Sequence, residues 1–354
     1  MAPATFRQWW SAYRTRWKRR ELLWRCIRAG RRLSPLSDRT GQIAAGDILL
    51  FAAIRNEIDR LPEFLDHYRG LGVDHFLIVD NHSDDGSADY LRGQPDLSLW
   101  RSGDSYRAAR FGMDWLGALQ FRHGHGHWCV TVDADELLIY PDYPRQSLTD
   151  LTARLDREGV QAMGALMLEP FPTGPLGTAD AGPDAPMMTR LPWFQPGPFR
   201  TRIVQPRRNR ITQGGVRERF FRDDPDLSPT LNKLPLARWH WRHVYVNSTH
   251  SMLPPRLNDC YDGPGDPRLS GVLLHGKFLP QIAAKSDEEL QRGQHFVDPA
   301  RHRAYHRELT AGPVLHSTAA QRYEGWEQLV ALGLMGTGEG RRAQTEPADP
   351  DERG

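Results

Sequence analysis

The sequence predicts an α/β fold, a mixed sheet flanked by helices in a single main domain, on three observations. Short and nearly continuous apolar runs at Asp47–Ile54, His75–Val79 and Trp128–Val132 read as strands buried on both faces of a parallel sheet. Between the first two, Leu61, Phe64, Leu65 and Tyr68 have helical spacing, with Pro62 in the first turn and Gly70 near the end. Each apolar run then ends in polar residues: Arg55-Asn56-Glu57, Asp80-Asn81-His82-Ser83-Asp84-Asp85-Gly86-Ser87, and Asp133-Ala134-Asp135-Glu136. Open α/β sheets place ligands at the carboxyl ends of their strands.

In chain order, residues 1–33 are expected to form a basic, aromatic, amphipathic helix and 34–46 a linker around Ser34-Pro35-Leu36-Ser37. The main domain spans 47–310, divided into halves at 47–141 and 142–310. In the second half Gly164–Leu168 reads as a central strand, Pro170–Pro198 as a long loop or lid, and Asp287–His295 as a charged helix. A helical extension is expected over 311–335, and the Gly-, Pro- and charge-rich stretch 336–354 reads as disordered.

The 354 residues suffice for one large α/β domain. Net charge is only +2, but its distribution is uneven. Residues 1–32 hold ten Lys or Arg against one acid, Glu21, so the segment is about +9 and the remainder about −7. Phe6, Trp10, Tyr13, Trp17, Trp24 and Ile27 fall near one helical face, a composition typical of helices that lie on anionic membranes. Packing on the main domain is the second reading, and contact with nucleic acid, which is not expected, the third. Three cysteines without paired spacing argue for a reducing compartment and against a structural zinc. No apolar run approaches the roughly 20 residues of a spanning helix, and the N-terminus lacks the apolar core of a signal peptide. The expectation is a cytoplasmic protein, with a peripheral one on the inner face of a membrane as the reading the basic helix adds.

Asp133 and Asp135, one residue apart at the mouth of a buried strand, concentrate like charge. A divalent cation relieves that cost, and hard oxygen ligands favour Mg²⁺ or Mn²⁺ over Zn²⁺. A solvated turn between two strands is the plainer alternative.

Taken together, Ile54-Arg55-Asn56-Glu57, Phe64-Leu65-Asp66-His67-Tyr68, Leu71-Gly72-Val73-Asp74-His75, Asp80 to Ser87, Arg110-Phe111-Gly112 with Trp115, and Asp133 to Glu136 resemble family-2-type glycosyltransferases. The branch is the one reading (K/R)NE…DN.S.DG…DADE, and the resemblance runs from Asp47 to about His306, strongest up to Pro141. It implies a GT-A-like, Rossmann-type fold and a metal-bound nucleotide-sugar donor, a UDP-sugar being favoured. Carried over by residue, it gives Asp135 the direct metal contact and Asp133 a metal, ribose or supporting role. Asp80 would bind the base, with Arg55 and Glu57 placing base and ribose and Ala53 and Asn56 beside them. Arg110 would touch phosphate, a surface salt bridge being the other reading.

The second half resembles the same branch more loosely, through Gly214-Gly215, Asn232-Lys233-Leu234-Pro235-Leu236 and Leu273-Leu274-His275-Gly276-Lys277. It implies Glu218 as catalytic base, with an ion pair to Arg217 or Arg219 as the alternative. His275 would be a metal or diphosphate ligand with Lys277 beside it, His250 in reserve, and Lys233 would contact phosphate or acceptor. Should Glu218 prove structural, Glu169 or the Asp223-Asp224 pair follows. The implied reaction is a metal-dependent transfer, with inversion at the sugar, to a glycan or lipid-linked glycan hydroxyl. A nucleotidyltransferase and a non-catalytic binding module are the alternatives; the first calls for a Gly-rich, Lys/Arg-bearing loop where Arg55-Asn56-Glu57 stands.

Two further motifs are set aside. Gly271 to Phe278 nearly matches a phosphate loop, but Phe278 replaces the hydroxyl and the interior is apolar. His123, His125 and His127, flanked by glycines, read as a turn more than a metal site.

Overall fold

A computed structural model describes residues 6–222, 224–281, 305 and 307–339. Its centre is a nine-stranded sheet: β1 (Ser34–Ser37), β2 (Ile48–Ile54), β3 (His75–Asp80), β4 (Leu97–Arg101), β5 (Trp128–Thr131), β6 (Glu136–Ile139), β7 (Ala162–Leu168), β8 (Asn232–Arg238) and β9 (Gly271–His275). The spatial order is β1-β4-β3-β2-β5-β8-β7-β9-β6. β4, β3, β2 and β5 are parallel neighbours, and β9 is parallel to β7. β8 runs against both β5 and β7, while β1 and β6 close the two edges antiparallel. The mixed α/β sheet is therefore the expected one.

Alternation along the strands divides the core into layers. On β2, Leu50, Ala52 and Ile54 pack with Leu61, Phe64, Leu65 and Tyr68 of α2 (Leu61–Gly70), with α3 (Ser87–Arg92) and with α5 (Leu148–Arg157). Leu49 and Phe51 face the other way, onto Met113, Trp115, Leu116 and Leu119 of α4 (Met113–Leu119) and Ala29 of α1 (Phe6–Gly30). Each such fully buried Leu or Phe contributes about 1.5–3 kcal/mol. Because both faces are covered, the strands are apolar throughout, which is why they are readable as runs.

From β2 the chain steps outward through β3 to β4, then returns to the opposite side of β2 as β5. The order reverses between β2 and β5, the position where doubly wound sheets open a crevice for ligands.

Three boundaries differ from expectation. The 34–46 linker contains edge strand β1, paired Ser34 to Arg101 and Pro35 to Trp100, and a 3-10 turn at Thr40–Gln42. The stretch Pro170–Pro198 is packed rather than a free lid: Phe171, Leu176, Met187, Leu191 and Phe194 are buried, and it includes α6 (Met187–Arg190). The 311–335 extension is helical only at Trp326–Ala331; Gln321–Arg322 instead pairs as a strand with Trp193–Phe194. The helix expected at 287–295, His306, and the tail after residue 339 lie outside the described residues. Among the described residues no helix is long and apolar enough to cross a membrane.

Candidate functional site

Five strands running in one direction deliver their carboxyl ends to the same edge of the sheet, and each is followed by a polar residue. Arg55 follows β2, Asp80 ends β3, Asp133 and Asp135 follow β5, Glu169 follows β7, and His275 ends β9. Antiparallel β8 begins at that edge and brings Lys233.

The first two ends, after β2 and β3, are laced by local hydrogen bonds. Arg55 donates to the carbonyls of Asn81 and His82, both at 2.8 Å. Asn56, in the left-handed region at φ 52°, accepts from Asp84 N at 3.0 Å, and its own N–H donates to Ser83 Oγ at 3.0 Å. Glu57 N donates to Ser87 Oγ and Ile58 N to Asp85 Oδ2, each at 3.0 Å. Ala53 is the penultimate residue of β2. Gly112, at φ +78°, approaches it so closely that a Cβ there would sit 2.9 Å from the Ala53 methyl.

Asp80 requires a correction. It is 0% exposed, one carboxylate oxygen accepting from Ser83 N at 3.0 Å and the other from Arg101 Nε at 3.1 Å. In this structure its carboxylate braces the loop after β3 and does not face a ligand.

The remaining ends form a continuous ionic network. Sheet register sets it up: β9 pairs His275 with Glu136 on β6 and runs beside β7, so His275 lies next to both Asp135 and Glu169. His275 Nε2 is 3.1 Å from Asp135 Oδ2, and Nδ1 is 3.3 Å from Glu169 Oε1. Gly276 N donates to the Asp135 carbonyl at 2.7 Å. Arg217 of α7 (Gly215–Phe221) pairs with Glu169 at 2.6 Å. Arg60, at the start of α2, reaches Glu57 at 3.1 Å, the Gly276 carbonyl at 3.1 Å and Asp135 at 3.6 Å. Lys233 bridges Asp133 at 2.9 Å and Glu136 at 2.5 Å.

Proton affinities follow from these contacts. Burial pulls His275 down, but Asp135 and then Glu169 outweigh it and hold the imidazole up at about 9. Burial raises Glu169, yet Arg217 and then His275 bring it to about 2. Glu136 is pushed up to about 7 by burial against the pull of Lys233. Lys277 is half-buried; its backbone N–H donates to the His275 carbonyl at 2.7 Å, and its ammonium makes no hydrogen bond or ion pair with a described residue. Burial and then Arg217 lower it to about 8.

Other expected roles shift. Lys233 is 3% exposed and fastens the Asp133–Glu136 turn instead of presenting its ammonium to phosphate or acceptor. Arg110 is committed to Asp114 at 2.7 Å and to the carbonyls of Tyr245 and Val246, which satisfies its guanidinium within the fold. Glu218 pairs with neither flanking arginine but with Arg200 at 2.5 Å; its second oxygen is buried with no hydrogen-bond partner among the described residues. His250 is pinned to the Asn232 carbonyl at 2.6 Å. Asp223 lies outside the described residues, and Asp224 caps the turn Pro225–Leu227. His127 is tied to the Asp47 carbonyl at 2.8 Å, and Gly271–His275 is a sheet strand, not a phosphate loop.

Arg60, a single charged residue ahead of an apolar run, was not marked by its sequence context, and Glu136 was read only as the last residue of the Asp133–Glu136 motif, with no role of its own.

Among the described residues no group of three or more His, Cys, Asp or Glu forms a ready-made metal cage. Asp135 Oδ2 and His275 Nε2 are nevertheless separated by 3.1 Å. Adjacent ligands of an octahedral ion with bonds of about 2.1 Å lie roughly 3 Å apart, so this pair fits two positions of one shell. Mg²⁺ characteristically takes one or two protein ligands and completes its shell with substrate phosphates and water.

No protein-family model matches the chain, and no curated protein sequence matches it. Among solved structures, one similar chain is a 4-diphosphocytidyl-2C-methyl-D-erythritol synthase, at 15% identity and TM-score 0.22 over 41% of this chain and 67% of that one. Another is described as a glucose-1-phosphate thymidylyltransferase from Bacillus anthracis in complex with a sucrose, at 9% identity and TM-score 0.28 over 82% and 96%. Scores of this size carry no inference about activity.

Proposed function

We propose that the protein transfers a sugar from a nucleotide-sugar donor, preferentially a UDP-sugar, to a hydroxyl of a glycan or lipid-linked glycan, with inversion and with bound Mn²⁺ or Mg²⁺. The observation that supports this reading is the meeting of Arg55, Asp133, Asp135, Glu169 and His275 at the strand ends around the β2/β5 reversal. The β2 end of this reversal would take the nucleoside, with Ala53, Arg55, Asn56 and Glu57 shaping the site and Asp80 bracing it from behind. Asp135 and His275 would hold the cation, which supplies Lewis-acid stabilisation of the leaving diphosphate.

The chain's own groups then divide the work. Glu169 orients the His275 ring through Nδ1, leaving Nε2 toward Asp135. Lys277, whose ammonium has no hydrogen bond or ion pair among the described residues, would contact the diphosphate as negative charge gathers there. Proton removal from the acceptor needs a carboxylate of ordinary basicity. Glu169, held to about 2, is too weak a base. Glu218 keeps one oxygen unpartnered and is the residue to which we assign the step.

Incubation with a panel of nucleotide sugars and Mn²⁺ should release a nucleoside diphosphate. Asp135→Asn should lose on the order of 10²-fold or more of that turnover while remaining folded. Full metal-free activity in that variant would remove the cation from the reading. Conversion of the nucleotide sugar and added pyrophosphate to a nucleoside triphosphate and a sugar phosphate would instead make the enzyme a nucleotidyltransferase. Glu218→Gln should lower transfer ~10²–10⁴-fold at unchanged donor affinity. A lowered melting temperature with transfer retained would make Glu218 a structural partner of Arg200.

A further inference from the structure

Helix α1 has two apolar faces, and the fold uses only one. Leu22, Cys26 and Ala29 are buried, and the packing against α4 is close enough that a Cβ on Gly117 would come within 2.5 Å of Cys26 Sγ. Arg25 donates to Asp114 at 2.8 Å and Arg122 to the Gly30 carbonyl at 2.9 Å, so the C-terminal half of the helix is fastened. On the other side Trp10, Tyr13, Trp17 and Trp24 are 49%, 41%, 52% and 59% exposed. At 3.6 residues per turn these four fall within an arc of about 60°, roughly opposite the buried trio. Trp10 stacks on Tyr13 at 5.6 Å and Tyr13 meets Trp17 edge-on at 6.1 Å, making a continuous ridge.

Exposed arginines Arg14, Arg16, Arg20 and Arg28 flank the ridge. Across an open groove stands the turn of the ribbon Phe199–Val204/Asn209–Gly214, where Ile203 and Val204 are 51% and 40% exposed beside Arg207 and Arg208. Sharing Arg19 and Pro254 with that groove is a cavity of about 560 Å³ lined by Arg19, His125, Arg238, His240, Arg242 and Arg256, with no carboxylate among its described lining residues. Its positive potential is felt by His243, which burial and then His240, Arg256 and Arg19 push down to about 3.

We propose that this face docks on an anionic lipid bilayer, the aromatic ridge of α1 entering the headgroup layer and the Arg19 cavity receiving a lipid phosphate. Tryptophan and tyrosine favour the membrane–water interface because one end of each ring is apolar and the other polar. Clustered arginines around such a ridge match an anionic surface. A second copy of the chain is a poor occupant, since a twofold contact would bring the same cations face to face. The inference does not depend on the transfer chemistry.

The test is flotation of the full chain with phosphatidylcholine vesicles containing about 30% phosphatidylglycerol, a content at which a cationic face binds by surface potential. Binding should be at least tenfold weaker to pure phosphatidylcholine and tenfold weaker again in high salt. The exposed-site variant Trp17→Ser/Trp24→Ser should lose at least tenfold at an unchanged melting temperature, and Arg242→Gln/Arg256→Gln several-fold. Absence of binding at low salt, or parental binding by both variants, would overturn the proposal. So would a dimer in solution that shields Trp17 and Trp24, or an RNA oligomer that binds tighter than the vesicles and displaces them.

Discussion

The two halves of the site are held together by different means. After β2 and β3, contacts link residues no more than about thirty positions apart, mostly through backbone groups: Arg55 to the carbonyls of Asn81 and His82, Glu57 N to Ser87 Oγ. Around β6, β7 and β9 they are side-chain ion pairs between distant segments, Asp135 with His275, Glu169 with Arg217, and Lys233 with Asp133. Backbone hydrogen bonds confer shape with little net charge. Buried ion pairs confer charge balance and fail together when one member is removed. The first half is thus a preformed mould, while the second is an electrostatic assembly that a diphosphate and cation would rearrange.

The largest expected effect is in that assembly. Lys233→Met leaves Glu136, 1% exposed, beside Asp133 without its cation. Uncompensated buried charge of this kind costs roughly 3–5 kcal/mol. Chemical denaturation should show the loss, and adding Glu136→Gln should recover most of it. A single variant as stable as the parent would mean that the network does not hold the second half.

That contrast also explains what the sequence made legible. Helix α2 is read at Leu61–Gly70 because apolar spacing, Pro62 and Gly70 are local signals, and β2 and β3 because both their faces are buried. Strand β1 is hidden: Ser34-Pro35-Leu36-Ser37 is an edge segment whose strand character comes only from pairing with β4. The motif residues Asp133, Asp135 and His275 are brought together as their order implied, whereas Asp80, Arg110 and Lys233 are turned to supporting contacts. Arg60 is invisible because its role depends on Gly276 and Asp135, which meet it only after the sheet forms. The second face of α1 is likewise undetermined until α4 occupies the first.

A smaller effect concerns pH. The folded His275 is raised to about 9 from 6.5, so its contribution to stability is complete below about 6.5 and is lost as pH rises through 9. In metal-free buffer, the stability of the parent relative to His275→Asn should therefore be greatest near neutrality and shrink toward pH 10. Lys277 works oppositely, its lowered value of about 8 making folding less favourable below that pH, but it is present in both proteins and largely cancels. A pH-independent difference in denaturation midpoints would deny His275 its charged partners. Glu169 adds the complementary acid limb: held to about 2 from 4.5, it stabilises above about 4.5 and its contribution disappears as pH falls through 2.

The smallest effect is expected in the mould. Asp80→Ala removes one acceptor from Ser83 N and one from Arg101, a half-buried arginine that can turn to solvent. Loss of a buried acceptor of this type costs about 1–3 kcal/mol, and the remaining laces from Arg55, Asn56 and Glu57 keep the two loops joined. The consequence should be a looser crevice more than an unfolded one. Calorimetric affinity for a free nucleoside diphosphate should fall several-fold, while Asp80→Asn, which retains an acceptor and the side-chain volume, should recover part of it. If instead Asp80→Asn binds as weakly as Asp80→Ala although its stability is restored, the carboxylate must reach the base itself. The loop after β3 would then have to open on ligand entry, and the first half would be less of a mould than its backbone hydrogen bonds indicate.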